Sequence, residues 1–115
     1  MTEITDLTAK ILTFRNARDW AQFHTPKNLA ISLSLEASEV LEHFQWKSDE
    51  EIIEYIKTHK EHIGEELGDV MNYLLLLANA TDIDLAQVTV DKIKKNEIKY
   101  PADKVKGSAK KYNQL

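Results

Sequence analysis

Ile4, Leu7, Ile11 and Phe14 recur at three- and four-residue intervals, so the spacing predicts an amphipathic helix over roughly residues 3–18. The stretch Asp19 to Asn28, DWAQFHTPKN, mixes aromatic rings with His and Pro and reads as an ordered loop. Its end, Thr25-Pro26, is a helix start, with Thr as N-cap and Pro at the first helical position. The second helix is expected to run to about Phe44, with Leu29, Leu33, Val40 and Phe44 on one face. Ser48 followed by Glu51 is a capping box. Residues 49–80 read as helical, with a join between two pieces expected near Thr58–His62. Asp84 with Gln87 opens a last helix, in which Ala86, Val90 and Ile93 share a face. It should end before Tyr100-Pro101, because the residue before proline avoids helical geometry. The pattern predicts an all-α fold of four to five helices in one domain over residues 1–100, followed by a basic, flexible tail over residues 101–115.

Two of these helices lack a polar face. Ile31, Leu33, Leu35, Val40 and Leu41 cover most of one, and Val70, Met71, Leu74, Leu75 and Leu77 most of the other. A helix that is apolar on most sides is buried on most sides. A chain of 115 residues cannot easily do that alone. The bundle is therefore expected to be completed by homo-oligomerisation, as a dimer or a dimer-of-dimers tetramer.

Composition narrows the class. Three glycines and two prolines supply little turn material, which favours a few long helices. The absence of cysteine excludes a disulfide framework and any Cys-based zinc site, and it fits a reducing, cytoplasmic setting. The N-terminal MTEITDLTAKIL does not read as a secretory signal, and the longest apolar run, Tyr73–Ala78, is too short for a bilayer. Residues 92–115 hold eight Lys against Glu97 and Asp103, a net +6, which leaves −10 on residues 1–91. An acidic body without a basic groove argues against nucleic acid as partner. The basic end could meet phosphates, or could be a solvated helix end that suits the helix dipole.

The acidic body has a pattern. Glu36-Ala-Ser-Glu39-Val and Glu66-Leu-Gly-Asp69-Val repeat at an offset of 30 residues. Positions i and i+3 lie on one side of a helix. Glu36 shares its stripe with Leu29, Leu33 and Val40, and Glu66 with Val70, Tyr73 and Leu77, so these acids project from faces that should be inside. Buried carboxylates need a cation. Residues 28–46 and 61–91 contain no Lys or Arg, so a metal is the economical partner. Oxygen-only ligation by Glu36, Glu39, Glu66 and Asp69 suits Mg²⁺, with Mn²⁺ as a substitute, or Ca²⁺. A di-iron bundle would need Glu-x-x-His pairs, and none occurs. His59-x-x-His62 with Glu65 or Glu66 could hold zinc, but at the expected helix join it reads rather as surface.

These residues resemble the MazG-like superfamily of all-α nucleoside triphosphate pyrophosphatases, whose motif is ExxE on one helix and ExxD on the next. Arg18-Asp19-Trp20, Phe23-His24, Pro26, Asn28, Phe44-Gln45-Trp46, Asn96, Lys99-Tyr100-Pro101 and Lys111-Tyr112 make the chain most similar to the dCTP pyrophosphatase branch. The resemblance implies Mg²⁺-dependent conversion of a (d)NTP, dCTP or a modified cytosine deoxynucleotide, to the (d)NMP and pyrophosphate. It places metal ligation on the four carboxylates and nucleotide contacts on Trp20, His24, Trp46, Tyr73, Lys92, Asn96, Lys99 and Tyr100. Glu97-Ile98-Lys99 stands where the family often carries a basic run. Either Glu36 or Glu39 could be the base that activates the attacking water. Aromatic faces suit base stacking, although Phe23 and one Trp could instead cap the core, and Tyr73 could pack under a deoxyribose or in the core. Other readings are the same fold acting on dUTP or phosphoribosyl-ATP, and a non-catalytic helical interaction module.

Overall fold

The computed structural model describes residues 3–109. They form helix α1 (Ile4–Ala17), a 3₁₀ turn (Ala21–Phe23), α2 (Pro26–Glu42), α3 (Asp49–Ala80), α4 (Leu85–Lys99) and a single turn, α5 (Ala102–Val105). The chain divides into two compact units, Met1–Ile83 and Asp84–Leu115. The all-α expectation holds for the described residues. No described helix is long and apolar enough to cross a membrane.

The predicted caps are in place. The Thr25 side chain accepts from the Asn28 backbone, with Pro26 at the first helical position. Ser48 and Glu51 bond each other's backbone N–H groups, which satisfies two otherwise orphaned donors at the start of α3. Asp84 accepts from Gln87 at the start of α4. Tyr100 ends α4, one residue before Pro101.

α3 differs from the expectation. It runs unbroken for 32 residues, about 48 Å at the usual helical rise. The polar run Thr58–His62 is not a join. It holds neither Pro nor Gly, and its hydroxyl folds back on the helix, with Thr58 Oγ1 donating to the Tyr55 carbonyl. Polarity there marks a solvent face, not a stop. Within the stretch expected to be tail, residues 102–105 close one helical turn. Lys111-Tyr112 lies outside the described residues.

α1 and α3 end alike. Each finishes in a Schellman motif, with Trp20 N–H on the Arg15 carbonyl and Asp19 N–H on Asn16 after α1. After α3, Ile83 bonds Ala78 and Asp82 bonds Asn79. The left-handed residue is aspartate in both, Asp19 and Asp82, each at φ 54°. The first motif reverses the chain into the Trp20–His24 loop.

Within the first unit α1 and α2 both pack on α3. The fully buried side chains are Leu29 of α2 and Leu75 of α3, joined by Ile63 and Leu76. Each such side chain contributes about 1.5–3 kcal/mol. That core is small for the apolar content. Ile31, Leu35, Leu41, Ile53 and Leu67 stay between 49% and 60% exposed on α2 and α3. The faces read as apolar all round are therefore only partly covered within one chain.

Candidate active site

The two acidic motifs face each other across the α2–α3 contact. Glu36 and Glu66, the first acid of each motif, are half-buried, whereas Glu39 and Asp69 are exposed at the rim. This follows from the helical pattern, because the first acids share stripes with the apolar residues that drive α2 onto α3. Burial pushes the Glu36 carboxyl above its ordinary range. A hydrogen bond with the Glu39 side chain and the negative charges of Glu39, Asp69 and Glu66 push it further. The other three predicted acids thus all act on Glu36. Oε2 of Glu36 is buried without a hydrogen-bond partner, an arrangement that a cation would satisfy. Four carboxylates offer only oxygen, so the donors fit a hard divalent ion.

Next to the acids lies a cavity of about 310 Å³ between α1, the Trp20–His24 loop and α3. It is lined by Trp20, His24, Asp69 and Tyr73, four of the predicted residues. Asp69 therefore belongs to both the acidic cluster and the cavity. Trp20 meets Phe14 edge to face with centroids 5.7 Å apart, and the Arg18 guanidinium sits 3.8 Å above the Phe14 ring. These contacts hold the indole at the cavity wall. His24 is half-buried with Nδ1 unpartnered. Burial, and then the Arg15 charge, hold its imidazole below the ordinary value of 6.5.

Three further lining residues, Lys10, Arg15 and Asn72, were not anticipated from the sequence. The signal for the first two was present in α1. Lys10 and Arg15 flank the Leu7–Ile11–Phe14 stripe, four residues from Phe14 and Ile11 respectively. A search for basic partners on the acids' own helices passes over them.

Other predicted residues stand apart. Trp46 is 86% exposed and lines none of this cavity, and Phe23 is 59% exposed, so neither caps the core of the described chain. In the second unit Lys92 lines a shallow depression with Val88, Asp91 and Lys95. Asn96 and Tyr100 are half-buried within α4 and its cap, and Lys99 is exposed at the last turn.

A further cluster was only half visible in the sequence. His62 and Glu66 lie one turn apart on α3, as the His-rich pattern suggested, but their companion is His43 at the end of α2, not His59.

An all-helical unit with ExxE and ExxD on packed helices, beside an aromatic and basic cavity, defines a protein of the MazG type. The chain belongs to the MazG-like family, which it matches over residues 31–115. It is 43% identical over 104 residues to dCTP pyrophosphatase 1 of Mus musculus, and 39% identical over the same length to that of Homo sapiens. Each alignment covers 89% of this chain but 61% of the relative, so the chain spans about three-fifths of these proteins. It is also similar to the crystal structure of a pyrophosphatase from Archaeoglobus fulgidus, at 40% identity and a TM-score of 0.82, covering 88% of this chain and 94% of that one.

Proposed function

We propose that the chain is a Mg²⁺-dependent nucleoside triphosphate pyrophosphohydrolase that converts dCTP, or a modified cytosine deoxynucleotide, to the monophosphate and pyrophosphate. The observation that carries this reading is Asp69. Its charge joins those of Glu39 and Glu66 on Glu36, and it lines a cavity whose aromatic and basic walls suit a nucleotide. The relatives named dCTP pyrophosphatase 1 supply the choice of base.

Glu36, Glu39, Glu66 and Asp69 would hold the ion. Bound there, it would neutralise phosphate oxygens and acidify a water. Glu36 or Glu39 takes the proton from the water that attacks the α-phosphorus, and pyrophosphate leaves with the bond to the α-phosphorus broken. Trp20 offers a face for the base, and His24 can hydrogen-bond a base edge. Tyr73, one helical turn beyond Asp69, can pack under the deoxyribose. Lys10 and Arg15 bring positive charge to the cavity, which compensates for the departure at Glu97-Ile98-Lys99. Trp46, Lys92, Asn96, Lys99 and Tyr100 are assigned to the substrate by the family pattern. The working form is a cytoplasmic homo-oligomer. Its support is the apolar surface that α2 and α3 leave uncovered.

A nucleotide panel with Mg²⁺, read by pyrophosphate release, tests the reading. Preference for cytosine deoxynucleotides is expected. Preference for dUTP or phosphoribosyl-ATP would move the substrate, and no turnover of any nucleotide would leave a helical interaction module.

A further inference from the structure

His43 caps α2 at its C-terminal end and is 7% exposed. Its Nδ1 lies 2.5 Å from the Tyr55 hydroxyl. Tyr55 is itself fixed, stacked on His59 at 3.9 Å and approached by Lys47 Nζ at 4.2 Å from the ring centre. The other nitrogen, Nε2, is 2.5 Å from Glu66 Oε2. Close as they are, the two atoms are not aligned for a hydrogen bond, and both are buried with no other partner among the described residues. His62 approaches the same carboxylate from the solvent side, with Nε2 3.4 Å from Glu66 Oε1 and a side chain 62% exposed. The rings of His43 and His62 meet edge to face at 5.2 Å. One donor atom from each of the three residues lies within 4.8 Å of the others.

We propose that His43, His62 and Glu66 form a transition-metal site that takes Zn²⁺ in competition with the use of Glu66 by the acidic cluster. Two imidazoles and one carboxylate are a borderline-soft donor set, unlike the oxygen-only cluster nearby. The spacing is one turn of α3 for His62 and Glu66, with the third ligand supplied by the neighbouring helix. The His43–Tyr55 contact is the outer support such sites use. With its proton on Nδ1, given to the tyrosine oxygen, His43 presents a free lone pair at Nε2. Metal–ligand bonds of about 2.0–2.2 Å place donors roughly 3–3.5 Å apart. His43 and Glu66 must separate slightly and His62 must swing inward, a small cost for an exposed side chain. A metal would satisfy both orphaned atoms at once. A fourth position, towards solvent beside His62, would be left for water.

This site rests on its own geometry and shares only Glu66 with the proposed catalytic cluster. Its test is metal binding by the full chain without nucleotide. Zn²⁺ affinity is read by competition with a chromophoric chelator, and Co²⁺ by its visible absorption. One equivalent of Zn²⁺ is expected. His62→Ala, at an exposed position that should not disturb folding, should weaken Zn²⁺ at least about 10-fold, and Tyr55→Phe about 10-fold. The double variant Glu36→Gln, Glu39→Gln should keep the affinity within about 3-fold, since neither residue supplies a donor. Zn²⁺ affinity unchanged in His62→Ala would overturn the proposal. So would affinity lost in the double glutamine variant. A chain that hydrolyses no nucleotide yet binds Zn²⁺ through His62 would remove the catalytic reading and leave this site standing.

Discussion

Arg15 and His24 line one cavity, and the arginine's charge joins burial in holding the imidazole below 6.5. At neutral pH His24 is therefore an uncharged ring that can both donate and accept. The unfolded chain protonates this histidine more readily than the folded one. Its contribution to stability is present above pH 6.5 and is lost as pH falls through the folded value. Replacing Arg15 by Gln should move the His24 midpoint up, as followed by the ring proton resonances on titration. A midpoint that does not move would mean that burial alone sets it.

Glu36 carries the opposite sign. Its carboxyl is raised above 4.5, so the folded state holds the proton more tightly than the unfolded state. Stability from this residue is present below 4.5 and is lost as pH rises through the folded value. Ionising Glu36 in the metal-free folded protein therefore carries a cost that the unfolded chain does not have. Glu36→Gln should raise the Tm of the metal-free protein by a few degrees and abolish the increase that Mg²⁺ produces in the unaltered chain. Thermal denaturation with and without Mg²⁺ at pH 7.5 reads both effects. A variant less stable without metal, yet still stabilised by Mg²⁺, would contradict the cluster.

Turnover should respond at Glu39. In the proposed reaction Glu39, the exposed second acid of the motif, holds the ion or takes the proton, and removing a general base costs about 100-fold or more. Glu39→Gln should lower kcat by that order, with its Mg²⁺ dependence altered. Full turnover with unchanged Mg²⁺ dependence would refute the assignment of the acids.

Much of this arrangement was legible along the chain, because it depends on local rules. Thr25-Pro26, Ser48 with Glu51, and Asp84 with Gln87 mark helix starts through bonds spanning three residues, and each is present. Glu36 and Glu66 could be placed inward because they share stripes with Leu29 and Val70. The rest depended on which elements meet. Lys10 and Arg15 reach the cavity only because α1 packs on α3, and nothing near the acids in sequence announces that. His43 joins His62 across two helices, while His59, nearer in sequence, turns to stack on Tyr55. The family resemblance puts Trp46 beside Trp20 on the nucleotide, but Trp46 lies exposed and lines none of the cavity that Trp20 borders. The expected join at Thr58–His62 is absent because that run holds neither Pro nor Gly, and helices end at caps and prolines.

Zinc should oppose magnesium. If His43 and His62 draw Glu66 into a Zn²⁺ site, that carboxylate is withdrawn from the acidic cluster. Micromolar Zn²⁺ should then inhibit Mg²⁺-supported pyrophosphate release, and His62→Ala should need about 10-fold more Zn²⁺ for the same inhibition. Equal inhibition of both proteins would place the inhibitory zinc elsewhere.

The end of α3 offers a stability test independent of catalysis. Asp82 occupies the left-handed position of the Schellman motif at φ 54°, where a side chain is disfavoured and glycine is not. Its negative charge also stands at the carbonyl end of a 32-residue helix, where the dipole favours cations. Both effects vanish in Asp82→Gly. The added freedom of glycine in the unfolded chain offsets part of the gain. The balance should be a stabilisation of about 0.5–1 kcal/mol in urea denaturation. Asp82→Ala removes the charge but keeps a Cβ, so it should recover only the dipole share. If Asp82→Ala proves as stable as Asp82→Gly, backbone strain contributes little, and the charge at the helix end accounts for the cost.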